Sequence, residues 1–210
     1  MNRKPCLCGA PRARLLVIPG LRDSGAAHWQ TWLEAQHPDA VRVVQHRWDE
    51  PDLDRWANRI ASTVERAGPG PWVAVAHIFG VLALAAHLQR EPASPVRAAL
   101  LVAPADPGRW GLGEQLPQDG LGRSATLVAS ETDPWMRLSE AKHWARRWRT
   151  PLVNLGDAGH VNAESGFGPF PFARQWVVAA TQRVARQADD DSAASTTSRV
   201  SVGAKVWMNA

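Results

Sequence analysis

Cysteine is almost missing from this sequence: Cys6 and Cys8 are the only two, both within the N-terminal "MNRKPCLCGAPRAR". No second Cys or His pair follows at the spacing of a zinc site, so the two read as free thiols in a leader. Long apolar runs are missing as well. The leader has no apolar stretch ahead of a small-residue cleavage site, and no later run is long enough to span a bilayer. A cytoplasmic protein without a membrane partner is the expectation. Blocks of like charge are lacking too. The 24 basic and 20 acidic side chains, formal charge +4, are scattered along the chain, which speaks for a solvated surface and against a nucleic-acid partner. There is no internal repeat or linker to suggest a second domain, and 210 residues with 45% hydrophobic and 21% charged content suffice for one substantial core.

What is present is alternation. Short β-rich runs fall at 15–19 ("LLVIP"), 41–46 ("VRVVQH"), 72–76 ("WVAVA"), 98–103 ("AALLVA"), 125–130 ("ATLVAS") and 152–155 ("LVNL"), and their near-continuous apolar character suits strands covered on both faces. Between most of them lies helical spacing, as in Trp29, Trp32, Leu33 and Gln36, or Leu138, Ala141, Lys142 and Ala145. The pattern predicts a single α/β domain over 14–187, a parallel sheet of about six strands with helices on both faces. Residues 1–13 read as a flexible leader. The acidic, then Ser/Thr-rich stretch 188–210 has no periodicity and is expected to be disordered.

In open parallel sheets, ligands sit beyond the carboxyl ends of the strands. Four segments following strands stand out: "PGLRDSGAAHW", "AHIFG", "SETDPW" and "GDAGHVNAESG". Gly20, Gly25, Gly80, Gly156 and Gly159 within them are expected to allow tight turns with positive φ. The segment 76–80 has the place and spacing of G-x-S-x-G, the strained strand-to-helix turn that presents a nucleophilic serine. Its central residue is Ile78. In chain order, the nucleophile position 78, Asp133 as acid and His160 as base follow the sequence of an α/β-hydrolase triad. His160 would move the proton, Asp133 would fix its tautomer, and backbone N–H groups of Phe79 and of the loop at Leu21 would form an oxyanion hole.

The stretches "VIPGLRDSGAAHWQTWLE", "RWDEPDLDRWANRI", "VAVAHIFG", "LLVAPAD", "LVASETDPWM" and "LGDAGHVNAESGFG" together resemble the small α/β-hydrolases that include retinoblastoma-binding protein nine and the bacterial YdeN proteins. The resemblance implies a serine hydrolase of ester or amide bonds, with a serine where this chain has Ile78 and a leucine more usual at Phe79. It implies Asp133 and His160 as acid and base, no cofactor, no metal, and a small ester- or amide-like ligand as partner; it names no protein partner.

Isoleucine has no lone pair to attack a carbonyl, so the family chemistry is expected to be absent or vanishingly slow. The alternative is a working hydrolase that uses another nucleophile, with Ser24 first and Ser130 and Ser165 behind it. Asp157 competes with Asp133 for the acid role but shares the histidine's loop and is expected to cap a turn. His77 reads as a packed, hydrogen-bonded residue beside the elbow and His28 as shaping the first loop; Ser24 and His77, with Trp29 and Trp135, are expected at the pocket. His37, His46, His87 and His143 read as surface or helix-end residues. Trp29, Trp48, Trp110 and Trp135 are candidates to wall an apolar pocket.

Overall fold

The computed structural model describes residues 12–204. Six strands, β1 (Arg14–Ile18), β2 (Val41–Arg42), β3 (Trp72–Ile78), β4 (Val96–Pro104), β5 (Ser124–Ala129) and β6 (Leu152–Asn154), form one sheet in the order β2-β1-β3-β4-β5-β6. Every neighbouring pair is parallel. The apolar runs become strands because both faces are covered. Leu16, Ile18, Ala74 and Ala76 share one core with helices α2 (Leu53–Arg66), α3 (Phe79–Arg90) and α4 (Leu138–Arg147). Leu15, Val17, Val75 and Val102 face the other way, against α1 (Trp29–Glu34) and the start of α5 (Pro171–Ala204).

Three boundaries depart from the sequence pattern. The run 41–46 yields only two ladder residues; Val43 N–H still bonds the Val17 carbonyl at 2.8 Å, and the chain then leaves the edge of the sheet. β3 runs two residues beyond the predicted end, through His77 and Ile78, all seven of its residues buried. At the far end, helical backbone continues through 188–204, where no regular structure was expected. Ala173, Val177, Ala180 and Val184 dock the first half of α5 in the core, and once a helix is nucleated, each further residue is added at little cost. Ala13, assigned to the leader, is buried with Val73 and Ala98. The rest of the expected leader up to residue 11, with Cys6 and Cys8, and residues 205–210 lie outside the described residues.

Candidate active site

The ends of β1, β3, β5 and β6 bring the four segments together. At the end of β3 the pairing with β4 shifts register between His77 and Ile78, and Ile78 takes φ 45°, ψ −117° before α3 begins at Phe79. A β-branched residue at positive φ is a true outlier, and such strain costs about 1–3 kcal/mol. The chain thus makes a sharp turn from strand to helix at Ile78, the position expected for the nucleophile. Gly20 and Gly80 make it possible, though not through positive φ as expected. They are sites of close approach: a Cβ on Gly80 would lie 2.4 Å from the Pro19 carbonyl oxygen, and one on Gly20 would lie 1.4 Å from Ile78 Cγ2. Gly156 and Gly159 do adopt positive φ, 70° and 54°.

Opposite the elbow, His160 Nδ1–H donates to Asp133 Oδ1 at 2.9 Å and Oδ2 at 3.1 Å. A carboxylate only accepts, so Nδ1 carries the proton of this bond and Nε2 is the ring nitrogen turned away from the carboxylate. That Nε2 is buried and has no partner among the described residues. A buried polar atom left without a partner costs about 1–3 kcal/mol. The carboxylate is itself held, since Asp133 Oδ1 also accepts from the Trp135 N–H at 2.8 Å.

The loop carrying the base is fastened by short hydroxyl side chains. Ser165 Oγ accepts the His160 N–H at 3.1 Å and donates to Asn162 Oδ1 at 3.0 Å. Ser130 Oγ accepts from Ala158 N–H and donates to the Gly156 carbonyl. Thr132 Oγ1 accepts from Gly159 N–H and donates to Asp157 Oδ1 at 2.7 Å. Asp157 is thus bound to the acid's loop and makes no bond to the His160 ring. The signal available beforehand was the density of short hydroxyl residues around the acid and base; which hydroxyl meets which backbone group depends on the fold.

A cavity of about 580 Å³ opens at this edge, lined among others by Leu21, His28, His77, Ile78, Trp135 and His160. Phe79 is the first residue of α3, so its N–H has no acceptor within the helix, and Leu21 lines the cavity. Two expected pocket residues are turned away. Ser24 is buried with its hydroxyl donating to Gln30 Oε1 at 2.6 Å. Trp29 is fully buried and meets His77 and Phe170 edge-on behind the cavity wall. Trp48 and Trp110 pack instead within the core against Trp56 and Phe79. The three serines considered as substitute nucleophiles are all engaged in hydrogen bonds elsewhere.

Burial first, then Arg42 and His160, lowers the pKa of His28 to about 4. His77 is held well below its ordinary value by burial, then by His160 and His28. Both rings are neutral at pH 7. His87, read as a surface or helix-end residue, is buried inside α3, where its Nε2 meets Ser94 Oγ at 2.9 Å. Among the described residues no three His, Cys, Asp or Glu side chains converge to hold a metal ion, and no helix is long and apolar enough to cross a membrane.

A family model described as serine hydrolase matches residues 15–179, most of the chain. The chain belongs to the serine hydrolase family. Among solved structures, this serine hydrolase family member is similar to a YdeN-like hydrolase from Pectobacterium atrosepticum, with 33% identity over 82% of this chain and 92% of that one and a TM-score of 0.78. It is also similar to the ydeN gene product of B. subtilis at 21% identity, covering 81% and 99% of the two chains, TM-score 0.64. Est1E from Butyrivibrio proteoclasticus, solved with ferulic acid bound, shares the fold at 10% identity, covering 85% and 93%, TM-score 0.61. No curated protein matches the chain significantly. The α/β-hydrolase fold and the hydrolase family read from the sequence thus stand.

Proposed function

We propose that this member of the family is a pseudoenzyme: an α/β-hydrolase whose nucleophilic serine is replaced by Ile78, inactive or severely impaired toward esters and amides, with a cavity still fit for a small ester- or amide-like ligand. The observation that carries this reading is the pairing of Ile78 on a strained elbow with a buried His160 Nε2 that has nothing to deprotonate. Covalent acyl transfer needs a lone pair at the elbow, and a hydrocarbon side chain supplies none. In subtilisin, removing the catalytic serine costs about 10⁶ in kcat. The alternative nucleophile fares poorly on geometry, because the Ser24 hydroxyl is committed to Gln30 and buried.

The test is labelling with a serine-directed fluorophosphonate together with hydrolysis of activated esters. The wild-type protein is expected to show neither above background. A label mapped to Ser24 or Ser165, and abolished by His160→Ala, would replace this reading with that of an active hydrolase.

A further inference from the structure

His77 precedes the elbow and is the one titratable side chain among the seven buried residues of β3. Its Nε2 stands 3.1 Å from the carbonyl oxygen of His160, a contact between residues 83 positions apart. A carbonyl only accepts, so Nε2 carries the proton and donates it. Burial keeps the ring neutral, so it presents that one tautomer.

Other contacts fix the ring in place. His28 packs edge-on at 4.8 Å between centroids, Trp29 does so at 6.1 Å, and the His160 ring lies 4.8 Å away. The backbone that receives the bond needs holding: His160 sits between Gly159 at φ 54° and Val161 at φ 50°. A β-branched residue in that region persists only where its surroundings enforce it. The Ser130, Thr132 and Ser165 hydroxyls fasten the base loop to the acid's loop and to itself. Compared with them, the His77 bond is the one that reaches the elbow strand.

We infer that His77 is a positioning residue: by donating to the His160 carbonyl, it locks the base loop to β3 and so sets the His160 ring against Asp133. This rests on the geometry of the histidine–aspartate pair, and it holds whether or not Ile78 abolishes catalysis. The elbow strand and the base are then one unit, which explains how the pair stays formed with no serine between them.

The test uses the wild-type background and needs no activity. Proton NMR of the folded protein is expected to show a downfield, exchange-protected signal from the His160 Nδ1–H bound to Asp133, assigned by its loss in Asp133→Asn. Glutamine places an amide N–H where histidine has Nε2, whereas asparagine reaches only as far as Nδ1. His77→Gln should therefore keep the signal, and His77→Asn should lose it or broaden it beyond detection. The two substitutions have similar polarity, so a merely structural role would move both alike. A folded His77→Asn protein with the signal as sharp as wild type overturns the inference, and so does loss of the signal in both variants. Should His77→Asn fail to fold, His77→Phe, which keeps the ring and removes the donor, takes its place with the same expected loss.

Discussion

On one side of the cavity, the loops after β5 and β6 satisfy all the polar groups named here except His160 Nε2: Asp133 is bonded to His160 and to the Trp135 N–H, and Ser130, Thr132 and Ser165 each hold backbone of the base loop. On the other side, the elbow keeps its backbone strain at Ile78 and leaves the one atom it should serve, His160 Nε2, without a partner among the described residues. Strain at a turn persists only if the surrounding structure over-determines it. Here Gly20 and Gly80 allow the close approaches that pack the turn against the end of β1. The comparison separates the geometry of the turn from the side chain on it: a strained strand-to-helix turn forms here with isoleucine at position 78. A family fold is therefore weak evidence for family chemistry at a single position.

The largest effect should come from restoring the missing reagent. Ile78→Ser places a hydroxyl on an elbow already formed, opposite a base already paired with its acid. Fluorophosphonate labelling and ester hydrolysis should appear, with a gain above about a hundred-fold over wild type, a conservative part of what nucleophile and base contribute together. Within that variant His160→Ala should remove the gain and Asp133→Asn should reduce it sharply. A folded, inert Ile78→Ser protein would mean that the contrast between the two sides is false and the intact side has been rebuilt as well.

The next test asks whether the elbow is as tightly enforced as its contacts imply. Gly20→Ala would drive its Cβ into Ile78 Cγ2 at 1.4 Å, so one of the two must move; overpacking of this kind costs about 1–3 kcal/mol. Chemical denaturation should show that loss. Combined with Ile78→Ser, which removes the Cγ2 branch, the cost should fall, giving a coupling of about 1 kcal/mol or more between neighbours in contact. Strict additivity would show that the elbow yields elsewhere and that its strain is not enforced from Gly20.

How much of this was legible beforehand follows the range of each interaction. Strands and most helices were readable because burial imposes a local period, and the loops that bring residue 78, Asp133 and His160 to one edge of the sheet were readable because Gly, Pro and Asp mark the stretches beyond strand ends. The proposal of lost chemistry rests on one letter of the sequence, Ile78. The turn of Ser24 toward Gln30, the retreat of Trp29 behind His77 and the bond from His77 to His160 were not legible, since each depends on where segments distant in sequence come to rest. The helix through 188–204 was missed for a related reason: its own sequence lacks a periodic face, and the docked half of α5 is what starts it.

Buried histidines set the interior against the exposed surface in a further way. His28 and His87 each fall from the ordinary 6.5 to about 4, chiefly through burial. Above pH 6.5 both states leave these rings neutral and they cost nothing. As the pH falls from 6.5 towards 4 the unfolded chain takes up protons that the folded chain refuses, so stability is lost across that window and levels off below it. The ceiling is about 3 kcal/mol per ring at roughly 1.36 kcal/mol per pKa unit. Urea midpoints between pH 7.5 and 4 should fall, and His87→Gln, which keeps a donor for Ser94 Oγ, should flatten part of that fall. An unchanged slope in the variant would remove His87 from the account.

The smallest effect separates the two aspartates near the base. Asp133 is buried and bonded to the imidazole, whereas Asp157 is exposed and accepts only the Thr132 hydroxyl among its hydrogen bonds on the described residues. An asparagine at 157 keeps an oxygen that can accept that same bond, so the base loop should stay fastened. Surface substitutions away from special features lie within about 0.5 kcal/mol. Asp157→Asn should therefore leave the urea midpoint of the wild-type protein nearly unchanged, and in the Ile78→Ser background it should alter ester hydrolysis less than about three-fold, a change worth roughly 0.65 kcal/mol at RT ln 3. Should Asp157→Asn instead match the loss caused by Asp133→Asn, the acid role would have to be shared between the two carboxylates, and the hydrogen-bond geometry at His160 Nδ1 would no longer identify the acid.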